Sequence, residues 1–116
     1  MTIAEVAEAL SLSVRTAQRR LETEVTGGYA SDLLSCVMAK AQEGNVWVTL
    51  QSHVNIVAVA ALLQLSGIIV TEGMLPDAAT LEKAESEGIP ILTTQSTTFT
   101  VVAQLVQLGI KGTEKE

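Results

Sequence analysis

The chain is poor in the residues that most often mark chemistry. It has one cysteine, Cys36, and one histidine, His53. A lone cysteine excludes an internal disulfide, and Cys36 with His53 cannot complete a metal site unless other ligands join. Both fit a reducing compartment, so a cytoplasmic location is expected. Aromatic residues make up only 3%, and the core must be built from Ala, Val, Leu and Ile. Basic residues are also scarce. Seven Lys and Arg against thirteen Asp and Glu leave a net charge of -6. A domain that grips a phosphate backbone is usually basic, so nucleic acid is not the expected partner. The most apolar run, residues 54–65, falls short of the roughly 20 residues that span a bilayer. The opening Met1-Thr2-Ile3-Ala4-Glu5 carries no basic side chain, and no signal peptide is expected.

What is present describes a globular chain. Hydrophobic residues reach 47% against 17% charged, which excludes disorder. A length of 116 residues suggests one domain, able to bury a core without staples. Thr2-Ile3-Ala4-Glu5 reads as a capping box opening a helix to about Leu10. Leu12 and Val14 would point the same way from a short strand. Ser31 or Asp32 would cap a helix with Leu33, Leu34, Val37, Met38 and Ala41 on one stripe, ended by Gly44. Val46-Trp47-Val48-Thr49-Leu50 is a strand by composition. Val54 to Leu65 is a helix without a polar face, stopped by Gly67. Such a helix is buried on all sides, which predicts that it or the neighbouring Met38 surface meets a second subunit. Ile68-Ile69-Val70 and Ile91-Leu92-Thr93 are further strands. Asp77 caps a helix with Leu81 and Ala84 inward. A last helix from Ser96 or Thr97 buries Val101, Val102, Leu105 and Leu108. The alternation predicts an α/β fold, a mainly parallel central sheet of about four to five strands with helices on both faces.

Residues 2–21 also fit a helix-turn-helix. Val14 to Leu21 would be the recognition helix, presenting Arg15, Thr16, Gln18, Arg19 and Arg20 to a major groove. The competing reading is a helix, a strand at Leu12 to Thr16 and a solvated basic loop. A strand there excludes a DNA-binding regulator of this kind.

Thr26-Gly27-Gly28-Tyr29-Ala30-Ser31-Asp32 is the most informative stretch. Adjacent glycines before a helix allow positive φ and expose backbone N–H groups, an arrangement that can cradle a phosphate or carboxylate. The plainer alternative is a tight strand-to-helix turn. The chain resembles a DRTGG domain here, through Glu24-Val25-Thr26-Gly27-Gly28-Tyr29, Ser31-Asp32-Leu33-Leu34-Ser35, and Trp47-Val48-Thr49 with Gln51 and His53. The likeness continues through Gly67-Ile68-Ile69, Thr71-Glu72-Gly73 and Gly88-Ile89-Pro90-Ile91-Leu92. Domains of this kind occur at the N-terminus of HPr kinase/phosphorylase, in phosphotransacetylases, with CBS domains in regulated pyrophosphatases, and beside redox enzymes such as iron hydrogenases. The resemblance implies a regulatory or assembly module, an α/β fold and a tendency to dimerise. Residues 1–110 would form the domain and 111–116 a frayed tail. Glu24-Val25 replaces the family's Asp-Arg, which removes an obvious anion partner. No G-x-x-x-x-G-K-[ST] loop is present, so no kinase activity is implied.

Ligands of open α/β sheets gather at the carboxyl ends of strands. Those ends carry Thr49, Gln51, Ser52 and His53, then Thr71 and Glu72, then Thr93, Thr94, Gln95 and Ser96. Hydroxyls suit hydrogen bonding to a polar molecule, and helix capping is their other use. No nucleophile–base spacing stands out. The expectation is a non-catalytic regulatory or accessory module without cofactor or metal. It would form a homodimer or dock on a larger enzyme complex, such as that of a redox enzyme. Thr26, Gly27, Gly28, Tyr29, Ser31, Asp32, Thr49, Gln51, Ser52, His53, Thr71, Glu72, Thr93 and Thr94 are the candidate residues for a nucleotide or other anion.

Overall fold

The computed structural model describes residues 1–114. In chain order the elements are α1 (Ile3–Ala9), β1 (Ser13–Val14), a 3₁₀ turn (Gln18–Arg20), β2 (Gly27–Ala30), α2 (Leu34–Lys40) and β3 (Asn45–Thr49). Then follow α3 (Asn55–Leu63), β4 (Gly67–Val70), α4 (Ala78–Glu87), β5 (Ile91–Thr93) and α5 (Thr98–Gln107). The five strands make one sheet ordered β1-β5-β4-β3-β2. β2 to β5 run parallel, and β1 alone is antiparallel, with Ser13 opposite Thr93 and Val14 opposite Leu92.

Strand alternation divides the core into two layers. Trp47, Ile68, Val70 and Ile91 face α2, α3 and α4, where Val37, Ile56, Val57, Ala60 and Ala84 meet them. Val46, Val48, Ile69 and Leu92 face α1 and α5, against Ile3, Val6, Val101 and Leu105. The expected α/β fold with helices on both faces is therefore present. Each crossover between parallel neighbours carries its helix on the same face. The order of parallel strands never reverses, so no crevice opens between them of the kind a doubly wound sheet offers.

Helix starts follow their caps. Thr2 Oγ1 accepts the Glu5 N–H at 3.2 Å and Glu5 Oε1 the Thr2 N–H at 2.9 Å. Asp77 Oδ1 accepts from the Thr80 N–H at 2.9 Å, and Thr97 Oγ1 from the Thr100 N–H at 3.3 Å. Four expectations fail. Ser31 and Asp32 do not cap α2; Leu33 takes the cap position, and the outer part of the expected stripe, Leu33 and Met38, is exposed. Gly67 does not stop α3. Gln64, in the left-handed region at φ 56°, does so, and Gly67 begins β4. α3 is not buried on all sides, because Asn55, Ala58 and Leu62 face outward and Leu62 is 67% exposed. Val14 to Leu21 is no recognition helix. It is a strand residue paired to β5, then a 3₁₀ turn from which Arg19 Nη1 reaches Glu85 Oε2 at 2.6 Å. With that, the helix-turn-helix is excluded.

The glycine pair is also not a turn. Gly27 and Gly28 are extended in β2, paired with Asn45 and Val46, and neither has positive φ. The Gly28 N–H donates to Lys111 O at 2.9 Å. A Cβ on Gly27 would collide with Thr113 Cγ2 and stand 2.7 Å from Lys111 O. Glycine is thus required there by the chain segment that crosses it, not by curvature. Lys111 to Thr113 is correspondingly held rather than frayed, with Asn45 Nδ2 donating to Thr113 Oγ1 at 3.1 Å. Residues 115–116 of the expected tail lie outside the described residues. Among the described residues no helix is long and apolar enough to cross a membrane.

Candidate functional site

The candidate residues divide between the two ends of the sheet. Gly27 pairs with Asn45, and Thr49 closes β3 four residues later. At about 3.3 Å per residue that separates the Thr26–Gly28 group from the strand-end hydroxyls by about 13 Å. They do not form one site.

At the carboxyl end most expected ligand groups hold one another. Asp32 Oδ1 accepts from the Thr49 hydroxyl at 2.8 Å and the Leu50 N–H at 2.9 Å. Gln51 Nε2 donates to Asp32 O at 3.1 Å. These bonds tie the loop after β2 to the loop after β3. Ser31 Oγ accepts from the Leu33 N–H at 3.1 Å, and Ser31 O accepts from Trp47 Nε1 at 2.9 Å. Tyr29 is half-buried against the Trp47 layer. Ser52 O accepts from the Thr80 hydroxyl at 3.3 Å. His53 Nδ1 accepts from the Asn55 N–H at 3.3 Å, a local contact at the start of α3.

Thr71 and Glu72 fix the start of α5. Thr71 Oγ1 lies 2.6 Å from Thr98 Oγ1, and Glu72 Oε2 accepts the Thr98 N–H at 2.8 Å. Glu72 achieves this from the left-handed region, at φ 63°. A free helix N-terminus attracts an anion. Here the chain's own carboxylate takes that place.

The remaining pair, Thr93 and Thr94, opens onto something different. They line a cleft of about 290 Å³ with Ser11, Ser13, Arg15, Gly73 and Gln95. Arg15 Nε donates to Thr93 Oγ1 at 2.8 Å. That single bond anchors the guanidinium at Nε and leaves its terminal N–H groups without partners among the described residues. β1 delivers the side chain. Val14 turns inward, so Ser13 and Arg15 turn to the other face beside Thr93. The result is an arginine, hydroxyls and a glycine backbone around one opening, a set that recognises phosphate or carboxylate. Sequence reasoning placed Thr93 and Thr94 here and missed Arg15, Ser11, Ser13 and Gly73. The alternation of Leu12 and Val14 was the available signal, but nothing local shows that β1 pairs with β5.

No three of His, Cys, Asp and Glu come together in a metal-binding group among the described residues. Among the described residues the two shifted carboxyls belong to helix caps. Asp77 is held below its ordinary value first by the Thr80 N–H and then by the Thr80 hydroxyl. Glu5 is lowered by the Thr2 N–H and then its hydroxyl.

Comparison with known families settles what this fold is. The chain matches the DRTGG domain over residues 3–108. It belongs to the DRTGG-domain family. Among solved structures, this DRTGG domain is similar to the CBS and DRTGG domains of the regulatory region of Clostridium perfringens pyrophosphatase, complexed with the activator diadenosine tetraphosphate. The TM-score is 0.74 at 20% identity, over 99% of this chain and 51% of that one. The chain therefore spans about half the length of that structure, and at this identity the likeness establishes the shared fold. A comparison with curated proteins gave no match.

Proposed function

We propose that this DRTGG domain is a non-catalytic regulatory module that binds a phosphate-bearing ligand, such as a nucleotide, in the Arg15–Thr93–Thr94 cleft. The carrying observation is the guanidinium held at the end of β5 by Thr93, its outer N–H groups without partners among the described residues in a cleft that Ser11, Ser13 and Thr94 also line. A Glu24-Val25 replacement removed the arginine of the family's name motif, and Arg15 supplies a cation from a different element. The regulatory region of the pyrophosphatase was solved with diadenosine tetraphosphate, which supports a nucleotide as the ligand class. Titration of the full chain with diadenosine tetraphosphate, ATP, AMP and inorganic phosphate tests this by thermal shift and calorimetry. Saturable binding that Arg15→Gln weakens at least about tenfold, or about 1.4 kcal/mol, is expected. Flat curves across the panel, or binding indifferent to Arg15, would refute it.

A second reading is favoured by the outward face of α3. We propose self-association, or docking on a larger enzyme, through Leu62 and Met38, which remain exposed beside each other's helices. The two readings are compatible, because the cleft lies at the β1 edge of the sheet and α2 covers the β2 side.

A further inference from the structure

The amino end of the sheet carries a second and larger opening, of about 590 Å³. It lies where the chain enters β3, β4 and β5, beneath the C-terminal ends of α3 and α4. Ser66 forms part of its wall. Ile68 and Val70 face the α3–α4 layer, so alternation turns Ser66 to the same side. Ser66 is only 2% exposed, and its Oγ has no hydrogen-bond partner among the described residues. An orphaned hydroxyl at such depth is costly, and native proteins rarely keep one without a reason.

Two charges share the same cleft without meeting. Arg20, on the 3₁₀ turn, lies against the end of α4. A Cβ on Gly88 would stand in ordinary contact with its Nη1, at 3.5 Å, which places the guanidinium beside the residue that caps that helix. Glu43 lies on the loop before β3. Neither is in an ion pair among the described residues. The other two carboxylates on the wall are already partnered, Glu24 by the Met1 amine at 3.0 Å and Glu87 by Lys83 at 3.2 Å. A guanidinium and a carboxylate that line one cleft unpaired match a molecule bearing both opposite charges. Ala61, Leu65 and Ile89 supply apolar wall between the polar groups.

We propose that this cleft binds a small zwitterion of the free amino-acid type with an apolar side chain. Its carboxylate meets Arg20 and its ammonium meets Glu43. The Ser66 hydroxyl is sealed beneath the wall, so binding parts the wall over it for the hydroxyl to gain the partner it lacks, and the side chain lies on Ala61, Leu65 and Ile89. The volume admits such a ligand together with bridging waters. This inference is independent of the Arg15 cleft, which lies at the other end of the strands.

The test titrates the full chain with leucine and valine, and with butylamine and acetate as one-ended controls. Calorimetry and amide-shift perturbation are the readouts. Saturable binding of an apolar amino acid is expected, at least about tenfold tighter than either control. Arg20→Gln and Glu43→Gln should each weaken it at least about tenfold, while Glu82→Gln on the outer face of α4 leaves it unchanged. Ser66→Ala should weaken binding and raise the melting temperature together, a combination that a purely structural serine would not give. The proposal is overturned if no amino acid saturates by about 10 mM. It is equally overturned if a one-ended control binds as tightly, or if affinity survives Arg20→Gln and Glu43→Gln.

Discussion

Asp32 is a small case of how this domain uses its polar groups. Its exposed carboxylate bonds the Thr49 hydroxyl and the Leu50 N–H, and its carbonyl bonds Gln51. A charged acceptor strengthens such bonds, while solvent around it weakens their net contribution. Asp32→Ala should therefore cost about 1 kcal/mol in urea unfolding. Amide exchange at Leu50 should quicken while exchange in β4 stays unchanged. An unaltered Leu50 rate would show that the loops are held by something else. The residue types were legible in the sequence, since hydroxyls and amides clustered after each strand. Their roles were not, because each partner lies on a different loop. Arg15 makes the point more sharply. Its bond to Thr93 spans 78 positions, and no local pattern of Leu12, Val14 or the neighbouring arginines encodes that distance.

At the scale of elements, periodicity and caps announced β3, β4, β5, α4 and α5, because each is set by local rules. β2 was hidden because Gly27-Gly28 has the composition of a turn, and the reason for the glycines is a segment arriving from residues 111–113. Local rules also misjudged the end of α3. Gln64 occupies a left-handed conformation there, which costs a residue with a Cβ about 1–2 kcal/mol. Gln64→Gly should recover part of that, raising stability by up to about 1 kcal/mol, with the Gln64 N–H still bonded to Ala60 O. A loss of stability in the melt would mean that the Gln64 side chain contributes more than its backbone strain removes. The start of α4 carries a pH signature. Asp77 is lowered from 3.8 by the Thr80 N–H and hydroxyl. Folding thus binds the charged form more favourably. The cap's contribution is complete above the unfolded pKa and is lost as pH falls through the lower, folded one. In melts followed from neutral pH to about pH 3, wild type should lose stability more steeply than Asp77→Asn. Parallel curves for the two would exclude this cap as a source of acid sensitivity.

For the whole molecule, the question is what the unfilled apolar surface means. The parallel strands follow one another in order, and all three crossover helices share a face. Among the described residues that face has α2, α3 and α4 as its only cover, and none of them lies over the far side of α3. A helix with apolar residues all round needs burial all round, and α3 is short of it at Ala58 and Leu62. Leu33, Leu75 and Phe99 are exposed as well, but they lie apart, Leu33 at the start of α2, Leu75 beside Met74 on the loop after β4, and Phe99 in the first turn of α5. Isolated apolar residues are ordinary on protein surfaces. The case for an interface therefore rests on α3 with its neighbour Met38 on α2. Leu62→Glu separates that interface from stability, since a side chain 67% exposed in the monomer contributes little to its core. Sedimentation should find the wild-type chain associating at high micromolar concentration and the Leu62→Glu chain monomeric, with their monomer melts nearly superimposed. Wild-type sedimentation as a monomer throughout that range would reject self-association. It would leave docking on a different protein as the one use of this face to test.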